Sequence, residues 1–336
     1  MRKIGIIGAG SWGTALAVNL ARNNHEVVIW SIMEDEINML KEHREHIDKL
    51  PGVKLAENIS FTTDMEKAVK GMDMIVLAVP SIFTRSTSKN MATFVEEGQI
   101  IVCVGKGIED NTFMTITDIV EEEIPQADVA VLCGPSHAEE VGQGLPTTVV
   151  AGAHLQKTAE FIQDTFMNET FRVYTSPDML GMELGGSFKN VIALAAGMCD
   201  GLGFGDNTKA ALIVRGISEV ARLAVAMGAK PETVNGLTGV GDLIVTCQSK
   251  HSRNRKAGEL MGQGLTMDQA TKEVKMVVEG VYSAKAALAL GKKYYVQMPI
   301  IEEVNKVLFE DKSAKEAVYD LMIREKRVES NALDWR

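Results

Sequence analysis

The sequence predicts an α/β domain built on a parallel sheet, followed by an all-helical domain. Three observations predict it. Short apolar runs rich in Val and Ile occur at residues 4–7, 27–30, 74–79, 100–104, 129–133 and 147–151. They are continuous rather than alternating, as strands covered on both faces should be. Helix-like segments such as 14–21 and 65–69 lie between them, and strand–helix–strand repetition implies parallel pairing with helices on both faces. After about residue 175 no convincing strand follows. Ser176-Pro177 reads as a helix N-cap and first helical position. The run 207–227 is rich in Ala, Leu, Ile and Val and is closed by Gly228. Thr266 to Gln269 and Ser313 to Glu316 fit the capping-box pattern. The domains are therefore expected at 1–180 and 181–336, with no linker or repeat between them.

With 336 residues, two such domains are the natural division. Lys plus Arg number 35 against 45 Asp plus Glu, a net charge of −10 with no long block of one sign. That balance argues against nucleic-acid binding, which favours a basic face. It leaves phosphorylated small molecules open, since a pocket needs only a few local cations. No run reaches the roughly 18 apolar residues of a membrane span, and Gly8-Ala9-Gly10 interrupts the N-terminal apolar run too early for a signal peptide. Cys103, Cys133, Cys199 and Cys247 stand far apart, a pattern of reduced, buried thiols in a cytoplasmic protein.

Gly8-Ala9-Gly10-Ser11-Trp12-Gly13 follows the first strand and opens a helix. In that context the G-x-G-x-x-G pattern is a dinucleotide fingerprint. Gly8 permits the turn, Gly10 lets backbone approach the pyrophosphate, and Gly13 lets the helix pack close to the strand. The second strand normally ends on an acidic residue for a ribose 2′-hydroxyl or a basic one for a 2′-phosphate. Here Ser31 and Ile32 occupy that place and Glu34-Asp35 come late. Both NAD and NADP are therefore expected to serve, unless a residue such as Glu34 or Lys41 reads the ribose.

Lys189 lies in a helical stretch whose neighbours three and four positions away are Gly185, Gly186, Ile192 and Ala193. A solvated lysine gains nothing there, whereas a lysine aimed into a crevice accounts for the glycines. Asp242 is a lone carboxylate in Gly239-Val240-Gly241-Asp242-Leu243, a helix N-cap or a functional acid. The segment 250–256, Lys-His-Ser-Arg-Asn-Arg-Lys, is either a solvated turn or an anion cradle. Lys106, Ser136 and His137 follow the fourth and fifth predicted strands, where open α/β sheets bind ligands. His43 and His46 share a predicted helix face with no third metal ligand in view.

The ordered motifs G-A-G-S-W-G, V-G-K-G-I-E, C-G-P-S-H-A-E-E-V, G-S-F-K-N-V-I-A, G-D-L, S-R-N-R and V-E-G span almost the whole chain. Together they closely resemble the bacterial soluble NAD(P)-dependent sn-glycerol-3-phosphate dehydrogenases. The resemblance implies a Rossmann domain, a helical substrate domain, a homodimer, and interconversion of dihydroxyacetone phosphate and sn-glycerol 3-phosphate for phospholipid synthesis. It implies a catalytic group of Lys189, Asp242 and Lys106, with Lys189 moving the proton. Ser11, Trp12, Lys106, Ala138, Arg253, Val277 and Glu279 match positions lining the nucleotide, beside the glycines already named. Lys106, Asn190, Asp242, Thr246, Arg253 and Asn254 match substrate positions, and Gly134, Ser136, Lys189 and Ser252 join them. Ile32 and Met33 depart from the basic residue or His that many members carry there. Two rival readings remain at this stage: a related 3-hydroxyacid or sugar-acid dehydrogenase, and a non-enzymatic dinucleotide sensor.

Overall fold

The computed structural model describes residues 1–326, 328 and 329. The end of the expected second domain, residue 327 and residues 330–336, lies outside them. The strands are β1 (Lys3–Ile7), β2 (Glu26–Trp30), β3 (Glu45–His46), β4 (Leu50–Lys54), β5 (Ile59–Thr62), β6 (Met74–Leu77), β7 (Ile100–Cys103), β8 (Asp128–Cys133), β9 (Thr147–Ala153) and β10 (Phe171–Ser176). Helices α1 (Ser11–Arg22), α2 (Glu34–His43), α3 (Met65–Val69), α4 (Thr84–Met91), α5 (Ile116–Glu123), α6 (Ala138–Gln143) and α7 (Gln156–Phe166) alternate with them. From α8 (Met179–Gly201) onward every described element is helical. The rest are α9 (Asp206–Ala226), α10 (Pro231–Val234), α11 (Asp242–Gln248), α12 (Arg253–Gly262), α13 (Met267–Val274), α14 (Glu279–Lys293), α15 (Pro299–Phe309) and α16 (Ala314–Met322).

Eight strands form one sheet in the order β10-β9-β8-β7-β6-β1-β2-β5. The chain runs outward from β1 through β2 to β5, then restarts at β6 on the other side of β1. That reversal opens a crevice beyond the carboxyl ends of β1 and β6. Side chains alternate between two cores: Met74 and Val76 pack under one face, Ile75 and Leu77 under the other. This double burial is why the strands read as unbroken apolar runs.

Four expectations are corrected. The sheet is mixed, because β9 pairs antiparallel with β8 and β10 runs parallel to β9. Strands β5 and β10 and the hairpin β3–β4 lacked a long enough apolar run to stand out. The cap of α8 is Asp178, whose carboxylate accepts from Gly181 N at 3.0 Å. Ser176 ends β10 instead, and its hydroxyl accepts from Asp178 N. His43 and His46 share no helix face: α2 ends at His43, Arg44 turns left-handed (φ 49°), and His46 enters β3. The two capping boxes at Thr266 and Ser313 are both formed.

The helical half has its own core, organised around α8, twenty of whose 23 residues are buried. A helix surrounded on all sides must be apolar all round, so any charged side chain on it is desolvated whichever way it points. Its glycines let other backbone come close. A Cβ at Gly197 would lie 1.9 Å from Arg255 O, and one at Gly258 of α12 2.0 Å from Leu194 O.

Candidate active site

A cavity of about 690 Å³ lies between the carboxyl end of the sheet and the helices that follow it. The first wall is the glycine corner. Gly8 adopts φ +116° and its N–H donates to Trp30 O at 2.9 Å, turning the chain off β1. A Cβ at Gly13 would sit 2.2 Å from Gly8 O, so only glycine lets α1 start this close to the strand. Gly10, the N-cap of α1, has nothing within 4 Å of its missing Cβ and no side chain to cap the helix. The first amides of α1 therefore remain available at the positive end of its dipole. Open space over exposed amides fits a dinucleotide pyrophosphate.

The opposite wall carries charge. Asp242 begins α11 directly after a π-helical turn, Leu237–Gly241. Its carboxylate caps no backbone. One oxygen accepts from Lys189 Nζ at 2.5 Å and the other from Lys106 Nζ at 2.6 Å. Lys189 also donates to Thr246 Oγ1 at 2.6 Å, and Lys106 to Gly134 O at 3.1 Å. The glycines beside Lys189 explain how these groups meet. A Cβ at Gly185 would press on Thr238 O at 2.9 Å, and one at Gly186 on Cys133 Sγ at 2.9 Å. Without side chains there, the turn bearing Asp242 and the end of β8 both close onto α8.

Burial is the largest influence on Lys189 and lowers its pKa to about 8; Asp242 opposes this and Lys106 adds to it. Burial is the largest influence on Lys106 and pushes it down too, but the charge and hydrogen bond of Asp242, together with its other neighbours, outweigh it and the net shift is upward. Asp242 itself is held below the usual carboxylate range because the two ammonium groups overcome its desolvation. Glu183, equally buried on α8 but bonded to Thr117 rather than to a cation, is raised to about 7. Cation pairing, not depth, decides which buried acid stays ionised.

Of the residues expected at the site, Gly8, Gly10, Ser11, Trp12, Lys106, Ser136, Ala138, Lys189, Asn190, Asp242, Thr246, Ser252, Arg253, Asn254, Val277 and Glu279 all line this cavity. Gly13 and Gly134 support it from behind. The basic segment divides. Arg253 Nη1 donates to Val277 O at 3.2 Å at the rim. Arg255 turns away to Asp200 at 2.7 Å, and Lys256 pairs with Glu259 at 3.2 Å. Asn254 lines the cavity and also has a packing role. Its amide donates to Asn190 Oδ1 at 2.9 Å and its Oδ1 accepts from Gly280 N at 2.9 Å, tying α12 to α8 and α14. Glu279 accepts from Ser81 N at 3.1 Å and Ser81 Oγ at 2.5 Å, joining the two halves of the chain.

Glu36 and Lys49, which sequence reasoning missed, line the cavity beside Ser31; Glu34 and Lys41 do not. Glu36 accepts from Ser31 Oγ at 2.5 Å, contacts His46 Nε2 at 3.0 Å and pairs with Lys49. Lys49 lies in the β3–β4 hairpin, 18 residues beyond Ser31, where no local pattern marks it.

A glycine-cornered crevice facing a desolvated lysine defines the class: a nicotinamide-dinucleotide-dependent oxidoreductase of the two-domain type. The comparisons narrow the class. Residues 3–159 match the model for the NAD-dependent glycerol-3-phosphate dehydrogenase N-terminus, and residues 178–319 that for its C-terminus. A glycerol-3-phosphate dehydrogenase (NAD(P)+) of Agathobacter rectalis is 74% identical over 336 residues, covering 100% of both chains. One of Bacillus subtilis is 50% identical over 336 residues, covering 99% of this chain and 97% of its own. The crystal structure of the Coxiella burnetii glycerol-3-phosphate dehydrogenase superposes with TM-score 0.93 at 35% identity, covering 96% of this chain and 99% of that one. The chain belongs to the NAD-dependent glycerol-3-phosphate dehydrogenase family.

Proposed function

We propose that the chain interconverts dihydroxyacetone phosphate and sn-glycerol 3-phosphate with NADH or NADPH. The observation that carries this is Lys189, buried, paired with Asp242 and facing the glycine corner across one cavity. When bound, the cofactor supplies the hydride. Lys189 donates a hydrogen bond to the carbonyl oxygen and then passes it a proton as negative charge develops. A pKa of about 8 suits that transfer near neutral pH. Asp242 holds the ammonium in place, and Lys106 fixes the other carboxylate oxygen so that Asp242 cannot turn away. Arg253, with one of its N–H groups on Val277 and the rest open, grips the phosphate. Ser11, Trp12, Ala138, Val277 and Glu279 border the nucleotide.

The remaining assignments rest on the same reading. The domains divide near residue 180, between β10 and α8. The four free, buried cysteines support a reducing, cytoplasmic location. No helix among the described residues is long and apolar enough to cross a membrane. Exposed Val214 and Val225 on α9, with Tyr319 and Met322 on α16, support a homodimer. The product supplies the phospholipid backbone. The deciding assay follows loss of reduced-nicotinamide absorbance with dihydroxyacetone phosphate, and separately with 2- and 3-keto acids. Oxidation with the phosphate ester alone is expected. Oxidation with the keto acids alone would overturn the assignment.

A further inference from the structure

Ser81 opens the turn that follows β6, in the sheet half of the chain. Both of its donors go to one side chain from the helical half. Its N–H reaches Glu279 Oε1 at 3.1 Å and its hydroxyl reaches Glu279 Oε2 at 2.5 Å, so each carboxylate oxygen takes one donor. A carboxylate has about four lone-pair sites, which leaves accepting capacity on both oxygens. Glu279 begins α14 and is partly exposed on the wall of the cavity. The chain nearby is shaped around this contact. A Cβ at Gly107 would lie 2.4 Å from Ser81 Cβ and 3.2 Å from Glu279 Oε2, so the residue after Lys106 has to be glycine for serine and carboxylate to meet unstrained.

Glu279 stands where an ionised acid is costly. Burial is the largest influence and pushes its carboxyl above the usual range; the Ser81 hydroxyl, then the Ser81 amide and then the Arg253 charge on α12 oppose it, and the net shift is upward. Glu183 shows where such an acid goes with less support. It takes a comparable pair of donors, Thr117 N and Thr117 Oγ1, is bonded to no cation, and is raised to about 7. Removing the Ser81 hydroxyl takes away the strongest of the effects that oppose burial, so the titration of Glu279 moves toward neutrality. The nicotinamide of the cofactor has to lie at this end of the cavity, because hydride must reach a carbon whose oxygen faces Lys189. Lys106, beside Gly107, belongs to the same cluster through Asp242. The carboxamide and ribose of that half of the cofactor present N–H and O–H donors, which suit an ionised carboxylate and meet a protonated one less well.

We propose that Ser81 is a positioning residue, which from the sheet half holds the Glu279 carboxylate ionised and turned to accept from the nicotinamide half of the cofactor. This rests on the function proposed above, in which Glu279 borders the nucleotide. Ser81 acts through Glu279.

The experiment measures the dissociation constant of NADH by fluorescence at pH 8 and pH 6, for the parent and for Ser81→Ala. At pH 8 the Glu279 carboxylate is ionised in both, and the variant should bind within fivefold of the parent. At pH 6 the unsupported carboxyl takes up a proton, and the ratio of variant to parent constants should grow at least a further fivefold. Taking the ratio cancels groups that titrate alike in both proteins. The same substitution is then made in a Glu279→Gln background, which cannot titrate at this position. There Ser81→Ala should change the constant by the same factor at both pH values. A loss of affinity that is equal at pH 8 and pH 6 would reduce Ser81 to structural support and overturn the inference. So would unchanged affinity at both, or a pH-dependent loss that persists in the Glu279→Gln background. A parent that binds NADH but does not oxidise it with dihydroxyacetone phosphate would sink the proposed function and leave the Ser81 result standing. A parent that binds no NADH would overturn both.

Discussion

The corner after β1 and the crossing of α8 with α12 both depend on glycine, and for opposite reasons. At Gly10 the missing Cβ faces open space, with nothing within 4 Å. At the crossing, a Cβ on Gly258 would lie 2.0 Å from Leu194 O, and one on Gly262 2.4 Å from Met198 O. The first glycine leaves room for a ligand. The others leave room for a neighbouring helix, which brings Asn254 onto Asn190 at 2.9 Å, one residue from Lys189. One half of the site offers backbone amides to an anion; the other offers buried side chains whose charge the packing tunes. The lesson is that binding and chemistry are built by different means on either side of one cavity, and each can be removed alone.

The largest separation should come from Lys189→Ala. Removing a preorganised donor of this kind typically costs on the order of 100–1000-fold in turnover. Cofactor affinity, which depends on the other wall, should stay within threefold. In the parent, the reductive direction needs the protonated ammonium. With Lys189 at about 8, kcat for reduction should be level below pH 7 and fall toward tenfold per unit above pH 8. Oxidation needs the neutral amine and should show the opposite limb. Loss of cofactor binding in Lys189→Ala, or a reduction rate still flat at pH 9.5, would mean that the two walls are not independent or that another group carries the proton.

The two halves also differ in how openly the sequence shows them. The glycine corner is contiguous: strand, Gly8, Gly10, Gly13 and helix follow one another, so a local pattern carries the whole arrangement. The cluster opposite draws Lys106, Lys189 and Asp242 from three distant stretches. The sequence marks Lys189 and Asp242 by their settings and Lys106 by its place after a strand, but contains nothing that joins them through one carboxylate. The motif resemblance supplied that grouping. Asn254 shows what residue type does not reveal, since an amide suited to phosphate also holds helices together. The antiparallel turn of β9 was hidden for a similar reason: a buried strand looks apolar whichever way it runs. Lys49 was hidden because its neighbour in space, Glu36, is reached through a hairpin and not through helical or strand spacing.

A pair of glycine substitutions tests the contrast directly. Gly10→Ala adds a methyl group to open space at an ordinary backbone angle (φ −65°). It should leave the melting temperature within about a degree and weaken cofactor binding about tenfold or more, because the methyl stands where the pyrophosphate approaches. Gly258→Ala forces α8 and α12 apart. Overpacking of this kind costs about 1–3 kcal/mol, a fall of several degrees in melting temperature, with cofactor affinity little changed in the protein that remains folded. A stable Gly258→Ala, or an unstable Gly10→Ala, would collapse the distinction.

The smallest effect concerns the far end of the cofactor wall, where side chains return. Burial pushes Glu36 up, yet His46, Lys49 and Ser31 together hold it at about 2, so it is ionised at any working pH. The carboxylate and the Lys49 ammonium both line the cavity next to the end of β2, where a dinucleotide places its adenosine ribose. A free 2′-hydroxyl can donate to Glu36. A 2′-phosphate would meet that carboxylate unfavourably unless Lys49, with its side chain 37% exposed, turns from Glu36 toward it. The pair therefore permits both cofactors, each through a different member. Lys49→Ala leaves Glu36 facing the phosphate, and kcat/KM for NADPH should fall about 10–100-fold, the scale of one charged contact of about 1.5–3 kcal/mol. NADH should be almost unaffected. Glu36→Gln should act in the reverse sense, costing NADH a few-fold and sparing NADPH. The measurement is the ratio of kcat/KM for the two cofactors in parent and variants. Equal losses with both cofactors in Lys49→Ala would reduce Lys49 to a prop for Glu36, and the cofactor wall would then read its ligand by backbone alone.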